Sequence, residues 1–565
     1  MKRQAYAAII AVLLLALVAV IGWAAGYTPQ LTPSASEEWS RGRLVGDAPV
    51  SVPVDIQVAS DHDVFLTWVD TDERMHIARV GTQGQVISDR VPGVGAGIPR
   101  EPRFVVGPGG EIHLVWLETS GGRSVLTYAR LDSAISVRAG PLPLSLQTDT
   151  ARSPHLAFGR LGQVEVYWSG EAGIYHASVT TAGQLQSEAE LLVEGGDDVS
   201  VQVDRDGLFH LAWQESMGAN LRSIYYATFD AERKQVSEPE EIGTVFLRTG
   251  QRIESLTVGL DSTTGYVLWT VQDRRDVSSR AWYAFFPLGM PGLSRTNNLA
   301  LEEGGDPLSL WAAPTQNEVL VLALSETIMT EDGPLPQICL IMLEGGQIPE
   351  SELWAAAEIQ RSTSTPDGRS WSKEEYVVTA SGRPSLKPSL AIDASRNLHL
   401  AWLQTGGFGT YHVAYASTAP GVRQSYNALT LWDVVDRVFG LAMNLFMVVG
   451  FTPVLAICWT LLPLVWLGGY HFVTGYETVE TSSGRVALGL AIVLEVLSTY
   501  LVYPYRSMMP VALQWTMPLA TSAVGALLAW VYLRRRDEGS LFGAFFVFAL
   551  VHGLLQVALF IAVRC

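Results

Sequence analysis

His113-Leu114-Val115-Trp116 is a short apolar stretch that recurs along the chain. Phe65-Leu66-Thr67-Trp68, Glu165-Val166-Tyr167-Trp168, His210-Leu211-Ala212-Trp213, Tyr266-Val267-Leu268-Trp269 and His399-Leu400-Ala401-Trp402 follow the same pattern. Val321-Leu322-Ala323-Leu324 is a degenerate copy without the tryptophan. The tryptophans from Trp68 to Trp269 stand 48, 52, 45 and 56 residues apart. Before each copy comes a turn rich in Asp and Gly, such as Gly107-Pro108-Gly109-Gly110, Asp204-Arg205-Asp206-Gly207 or Asp393 to Asn397. Those residues tolerate the positive φ of tight hairpins. After the tryptophan comes a strand ending in Tyr-Ala, at Tyr128-Ala129, Tyr226-Ala227, Tyr283-Ala284 and Tyr415-Ala416. A looser strand follows, as at Gly183 to Glu188. Four antiparallel strands in a period of about 50 residues make a β-propeller blade.

A ring of blades must close. Trp39-Ser40 with Leu44-Val45 resembles Trp371-Ser372 with Tyr376-Val377-Val378, which reads as an outer fourth strand. The first stretch then supplies the missing fourth strand of the last blade from the N-terminal side. About seven blades result, with six or eight allowed by the extra sequence at 345–380.

The totals exclude several functions. The chain has 565 residues and a formal net charge of −18. An acidic surface repels phosphate backbones, so nucleic acid is not an expected partner. Of three cysteines only Cys339 lies in the repeat region, so no disulfide staples it. No Cys/His metal spacing occurs, and nothing in the sequence calls for a metal or cofactor. His113, His210 and His399 hold equivalent strand positions, which reads as repeated strand polarity rather than a metal site. Asp70, Glu118 and Glu215, each two residues past a tryptophan, read as backbone-bonding groups.

Both ends of the chain are apolar. Residues 7–25 follow Lys2 and Arg3 and are long enough to span a bilayer, so 1–28 reads as a membrane anchor or a signal segment. Residues 29–426 form the extracytoplasmic propeller, and 427–565 a bundle of about four helices at 438–471, 485–504, 511–533 and 541–563. The first stretch carries Pro453 and Pro463 and crosses once or twice; a single crossing places Arg534-Arg535-Arg536 in the cytoplasm, as basic clusters prefer. Asp433, Asp436 and Arg437 then lie at the outer interface. Glu495 and His552 fall near mid-bilayer, where ionisable groups face the bundle interior and pair. A Glu495–His552 hydrogen bond extended by Asn444, Gln514 and Gln556 reads either as interhelical glue or as a relay.

Ser364-Thr365-Pro366-Asp367-Gly368-Arg369-Ser370-Trp371 resembles the Asp-box of sialidase-like repeats, Ser-x-Asp-x-Gly-x-Thr-Trp. Ser364, Gly368, Ser370 and Trp371 match, while Pro366 stands at the Asp position. The resemblance implies the propeller fold over some 350 residues. In sialidases it further implies three arginines on a carboxylate, a Tyr–Glu pair and an acid Asp. The nearest string to that family's Phe/Tyr-Arg-Ile-Pro motif, Gly97-Ile98-Pro99-Arg100, is not that motif. Fold alone does not carry function. Arg103, Arg152, Arg252 and Arg383 stand at the first strands of their blades, which line the axis. They read either as a funnel grip for carboxylate or sulfate, or as solvated charges at loop ends.

The expectation is a multi-pass protein of the cytoplasmic membrane with the propeller outside. It binds a glycan or protein ligand at the propeller face and has the bundle available to a membrane-protein partner. A sialidase-like glycan hydrolase, and a transport or assembly factor acting through the bundle, are the alternatives.

Overall fold

The structure is a computed structural model and describes residues 31–344, 372–435 and 459–564, apart from short stretches within them. The apolar segment 7–25, the Asp-box-like stretch 364–371, and Asp433, Asp436, Arg437 and Asn444 lie outside the described residues, as does the side chain of Gln514.

The tryptophan-bearing repeats become second strands. They are Val64–Val69, Ile112–Ser120, Val164–Ser169, Phe209–Ser216, Thr264–Asp273, the tryptophan-free Leu320–Thr330, and Leu398–Gly407. Each pairs with an inner strand before it and a third strand after it, giving seven antiparallel sheets. These are blades 1 to 7 in chain order. The Tyr-Ala dipeptides lie on third strands, as in Arg123–Leu131, Leu221–Asp230, Ser279–Pro287 and Thr410–Ser417.

Why the repeat is apolar on both faces becomes plain from the packing. Along His113-Leu114-Val115-Trp116, Leu114 and Trp116 join a cluster with blade 1 residues Phe65 and Ile77. Val115 points the other way, into a cluster with Val164 and Trp168 of blade 3. Side chains alternate with period two, so a strand sandwiched between neighbours buries both sets. Every pair of adjacent blades shares one such cluster. Where Leu324 replaces tryptophan, Tyr283 and Phe285 of blade 5 fill the same cluster.

The ring closes as the sequence predicts. Gly42–Ala48 adds to the outer edge of blade 7, antiparallel to Thr410–Ser417, with Leu44 opposite Ala414 and Asp47 opposite His412. Ser40 exchanges bonds with Ser417: its N–H donates to the Ser417 carbonyl and its hydroxyl accepts from the Ser417 N–H, both at 2.9 Å. Trp39 is buried beside Trp402. Ser372–Val377 is the fourth strand of blade 6.

The contact pattern separates Gln30–Ala428 from a second unit that holds the C-terminal helices. These are residues 459–474, Ser482–Val502, Val511–Arg534 and Leu541–Arg564. Leu467, Ala491, Ala529, Phe545 and Phe548 form their common core. Two of the helices, over Ser482–Tyr500 and Thr516–Arg534, are long and apolar enough to cross a membrane.

Candidate functional site

The inner strands around the axis are Asp55–Val58, Ile98–Val106, Arg152–Phe158, Gly196–Val203, Gln251–Leu260, Gly305–Ala312 and Ser385–Ile392. In blades 2 to 7 the pairing register of this strand slips near its start, and in blade 6 it slips a second time further along. Six of the residues at these slips are left-handed although none is glycine: Glu101, Ser153, Asp198, Asp306, Ser309 and Lys387, with φ of 47°, 46°, 55°, 56°, 51° and 50°. Proline follows four of them, at 102, 154, 307 and 388, where a missing N–H favours a bulge over a regular ladder. Bulges re-aim side chains, and non-glycine residues in this region carry strain that the surrounding structure must hold.

The open inner edges of these strands leave backbone N–H groups that neighbouring inner strands satisfy. Phe104 N–H donates to Asp55 Oδ2 at 3.0 Å, Val258 N–H to Ser200 Oγ at 3.1 Å, and Leu310 N–H to Ser255 Oγ at 3.3 Å. The inner strands are therefore stitched blade to blade around the axis.

The axial channel encloses a cavity of about 240 Å³. Glu101, Ser153, Asp198 and Glu254 line it from the bulges, and Arg103, His155 and Trp311 from further along the strands. Arg103 of blade 2 reaches across the axis to Trp311 of blade 6, with its guanidinium carbon 4.8 Å from the ring centroid. Its Nε and one terminal nitrogen are buried with no hydrogen-bond partner among the described residues. The Trp311 ring is itself fixed by its Nε1–H donating to the Leu390 carbonyl at 3.2 Å.

The channel perturbs its titratable groups. Burial pushes the Asp198 carboxyl up to about 6; the Ser153 hydroxyl, 2.8 Å from its Oδ1, opposes this, while Asp197, Glu101 and Glu254 add to it. Burial also raises Asp55 to about 6 against the pull of the Arg103 charge. His155 is pushed down to about 3, by burial and then by Arg103, so it stays a neutral imidazole. Burial lowers Lys387 below the usual lysine range, opposed by Glu254 and Glu101.

Of the four arginines singled out in sequence, Arg103 alone lines this cavity among the described residues. Arg152 pairs with Asp197 at 3.0 Å and Arg252 with the cavity-lining Glu254, so each arginine has a carboxylate partner of its own. Arg383 precedes the inner strand of blade 7, and its carbonyl accepts from Gln337 at 3.1 Å. Sequence reasoning missed Trp311, His155, Asp198 and Lys387. The signal that marks three of them is the proline at or beside the bulge, in Ser153-Pro154-His155, Asp306-Pro307 and Lys387-Pro388, read as a repeat in its own right.

The repeated histidines are structural. Nδ1 of His113, His210 and His399 lies 2.7, 2.5 and 2.8 Å from the hydroxyls of Tyr128, Tyr226 and Tyr415, the tyrosines of the Tyr-Ala strands. Nε2 of His210 and His399 faces the turn residues Asp204 and Asp393 at 3.2 and 3.5 Å. Asp204 and Asp393 in turn cap their own turns, accepting from Leu208 and Asn397 N–H. Tyr266 in blade 5 reaches the same turn position directly, donating to Asp261 at 2.7 Å. Asp70 caps a turn through Asp72 and Arg74 N–H, and Glu118 accepts from Gly97 N–H. No group of three His, Cys, Asp or Glu among the described residues is placed to hold a metal ion.

In the helical unit Glu495 and His552 are both buried. The His552 nitrogens lie beside hydroxyls rather than the Glu495 carboxyl: Nε2 is 3.2 Å from Thr499, and Nδ1 is 3.1 Å from Thr521 and 3.3 Å from Ser522. Gln556 donates to Thr521 at 2.8 Å. One Glu495 oxygen has no partner among the described residues. Thr499 sits one helical turn from Glu495, and the hydroxyls of Thr499 and Thr521 also return bonds to their own helix backbone.

The chain matches no family model. No curated protein matches it either. Among solved structures, an ulvan lyase bound to -[GlcA(1-4)Rha3S]- is 11% identical with a TM-score of 0.44, covering 66% of this chain and 95% of that one. Polysaccharide lyase Uly1 is 10% identical with a TM-score of 0.41, over 66% and 91% of the two chains. An α-L-arabinofuranosidase from Podospora anserina, in complex with cellotriose, is 13% identical with a TM-score of 0.31, over 58% and 92%. Likenesses this distant assign neither a substrate nor a residue's role.

Proposed function

We propose that this protein displays a glycan-binding propeller at a membrane surface, with an anionic sugar held by Arg103 in the axial channel. The observation that carries the reading is the Arg103 guanidinium, stacked on Trp311 with two buried nitrogens unsatisfied. Buried polar groups without partners are costly, and a carboxylate or sulfate in the channel would supply an acceptor and balance the guanidinium charge. The ring beneath holds the guanidinium plane in place, so little freedom is lost on binding. Membrane placement is supported by the two long apolar helices and by Leu497, Leu519, Leu527, Leu550 and Leu554, which stay exposed on the helical unit. Water disfavours so much bare apolar surface, whereas lipid does not.

Asp198 favours a second reading, a glycan-cleaving enzyme. A carboxyl held near 6 among Glu101 and Glu254 is suited to general acid work. The Tyr–Glu pair that the sialidase resemblance implies has no counterpart here, since no tyrosine lines the cavity among the described residues.

The test offers the detergent-solubilised full chain a pool of sialylated, sulfated and neutral glycans and follows both retention and mass. Anionic glycans are retained intact, and Arg103→Ala weakens them about 10- to 100-fold. Arg103→Lys restores only part, because an ammonium lacks the planar fork. Retention of neutral glycans alone, or indifference to Arg103→Ala, sinks the proposal. Shortened glycans move the protein to the enzyme reading, and Asp198→Asn should then stop turnover.

A further inference from the structure

A second cavity, of about 440 Å³, lies between blades 4 and 5. Its walls come from the fourth strand of blade 4, at Thr244 to Phe246, and from the near ends of the blade 5 strands. Trp282 is half-buried along one wall, packed against the inter-blade core. Phe246 is 68% exposed beside it. Arg248 and Arg280 reach the cavity from opposite blades' edges; both are exposed, and among the described residues neither guanidinium has an ion pair or hydrogen bond. In a chain of net charge −18, two arginines left without carboxylate partners beside an aromatic wall are conspicuous.

The two cavities share a strand. Gln251 lines the outer one and Glu254, three residues on, lines the axial one. That is about 10 Å of extended chain, with the Arg252–Glu254 ion pair between them. Gln251 faces Asp273 across the ladder, and both residues line the outer cavity.

We propose that the cavity between blades 4 and 5 is a second saccharide subsite for an anionic sugar unit, so that the ligand is an anionic oligosaccharide running outward from the axis. This rests on the axial channel being a glycan site. The apolar face of a sugar ring fits against Trp282, while Arg248 and Arg280 take its carboxylate or sulfate and Asp273 or Gln251 its hydroxyls. The wall is mainly polar, from Thr244, Gln251, Asp273, Ser278, Ser279 and Thr296, with Trp282 and Phe246 as its aromatic part, a make-up suited to a hydroxyl-rich ligand.

The experiment measures affinity of the solubilised full chain for two size-graded ladders, oligogalacturonates and heparin-derived oligosaccharides. The double variant Arg248→Ala/Arg280→Ala touches only exposed side chains, and its melting curve checks the fold. Wild-type affinity should rise with chain length on at least one ladder. The double variant should flatten that rise, losing about tenfold on long members while keeping the shortest unchanged. Trp282→Ala should act in the same direction. Affinity without length dependence, or a rise that survives the double variant, overturns the second subsite while leaving the axial site standing. If neither ladder binds, or binding ignores Arg103→Ala, the axial reading itself fails and this inference with it.

Discussion

Asp198 concentrates the physics of the channel in one residue. Its backbone is left-handed at φ 55°, its Oδ1 accepts from Ser153 and its Oδ2 from Gln214, and burial raises its carboxyl to about 6. The consequence for stability has a definite sign. Between about pH 4 and about pH 6 the folded chain holds a proton that the unfolded chain has released. Stability therefore falls as pH rises through that window and stays lower above it. Asn keeps an acceptor for Ser153, tolerates the left-handed region, and carries no charge. Asp198→Asn should stabilise the propeller by about 1–3 kcal/mol at about pH 8 and by little at about pH 4, read by urea unfolding. An equal gain at both pH values would trace the effect to backbone conformation rather than charge. Arg103 carries the complementary strain, two unsatisfied nitrogens in place of a proton. Sites of this kind commonly trade stability for function.

Blades are sandwiched elements, and their tolerances follow from what each face meets. Gly196 opens the inner strand of blade 4, and a Cβ there would sit 2.7 Å from Trp213 Cδ1 and 2.9 Å from Ile174 Cγ1. Trp213 is fully buried, so neither neighbour can retreat cheaply. Gly196→Ala should cost about 1–3 kcal/mol in chemical denaturation. Gly305 opens the inner strand of blade 6, where the repeat lacks tryptophan, and a Cβ there meets nothing within 4 Å. Gly305→Ala is the matched control and should cost clearly less; similar losses at both would remove the tryptophan contact as the cause. The Asp–His–Tyr links work at the same scale. In blades 4 and 7 they tie the second strand to the third and to the turn beside it, so His210 and His399 use both ring nitrogens, whereas His113 bonds only Tyr128 and its Nε2 is buried without a partner among the described residues. Burial holds His113 down to about 4, so it bonds Tyr128 as a neutral ring.

For the whole molecule the decisive contact is the closure, which joins residues 42–48 to 410–417 across most of the repeat region. Without it the third strand of blade 7 becomes an open edge, and Trp68 loses the backbone of Gly46 that covers its ring. Open apolar edges recruit other chains. A variant lacking residues 31–48 should lose its single cooperative unfolding transition and self-associate, seen by calorimetry and light scattering. A monomeric variant with an unchanged transition would mean the ring is held by its inter-blade cores alone. Ligand binding belongs to this scale too, because Arg103 of blade 2 meets Trp311 of blade 6 only when the ring is closed.

The repeated Trp tetrapeptides, the Tyr-Ala strands and the Asp-Gly turns determined the blade unaided, because period-two burial and turn chemistry are local. Even the closing strand was legible, since Trp39-Ser40 and Trp371-Ser372 carry the same local pattern. The apolar C-terminal stretches were legible for the same reason. Which polar groups meet was not. Arg152 and Arg252 look like Arg103 in sequence, yet acids beside them, Asp197 and Glu254, absorb their charge. Trp311, His155 and Asp198 come together from three blades. His552 turns to Thr499, Thr521 and Ser522 because neighbouring helix faces, not sequence positions, set its distances. Periodicity records which way a side chain points within its own strand or helix; only closure of the ring and packing of the helices decide what it faces.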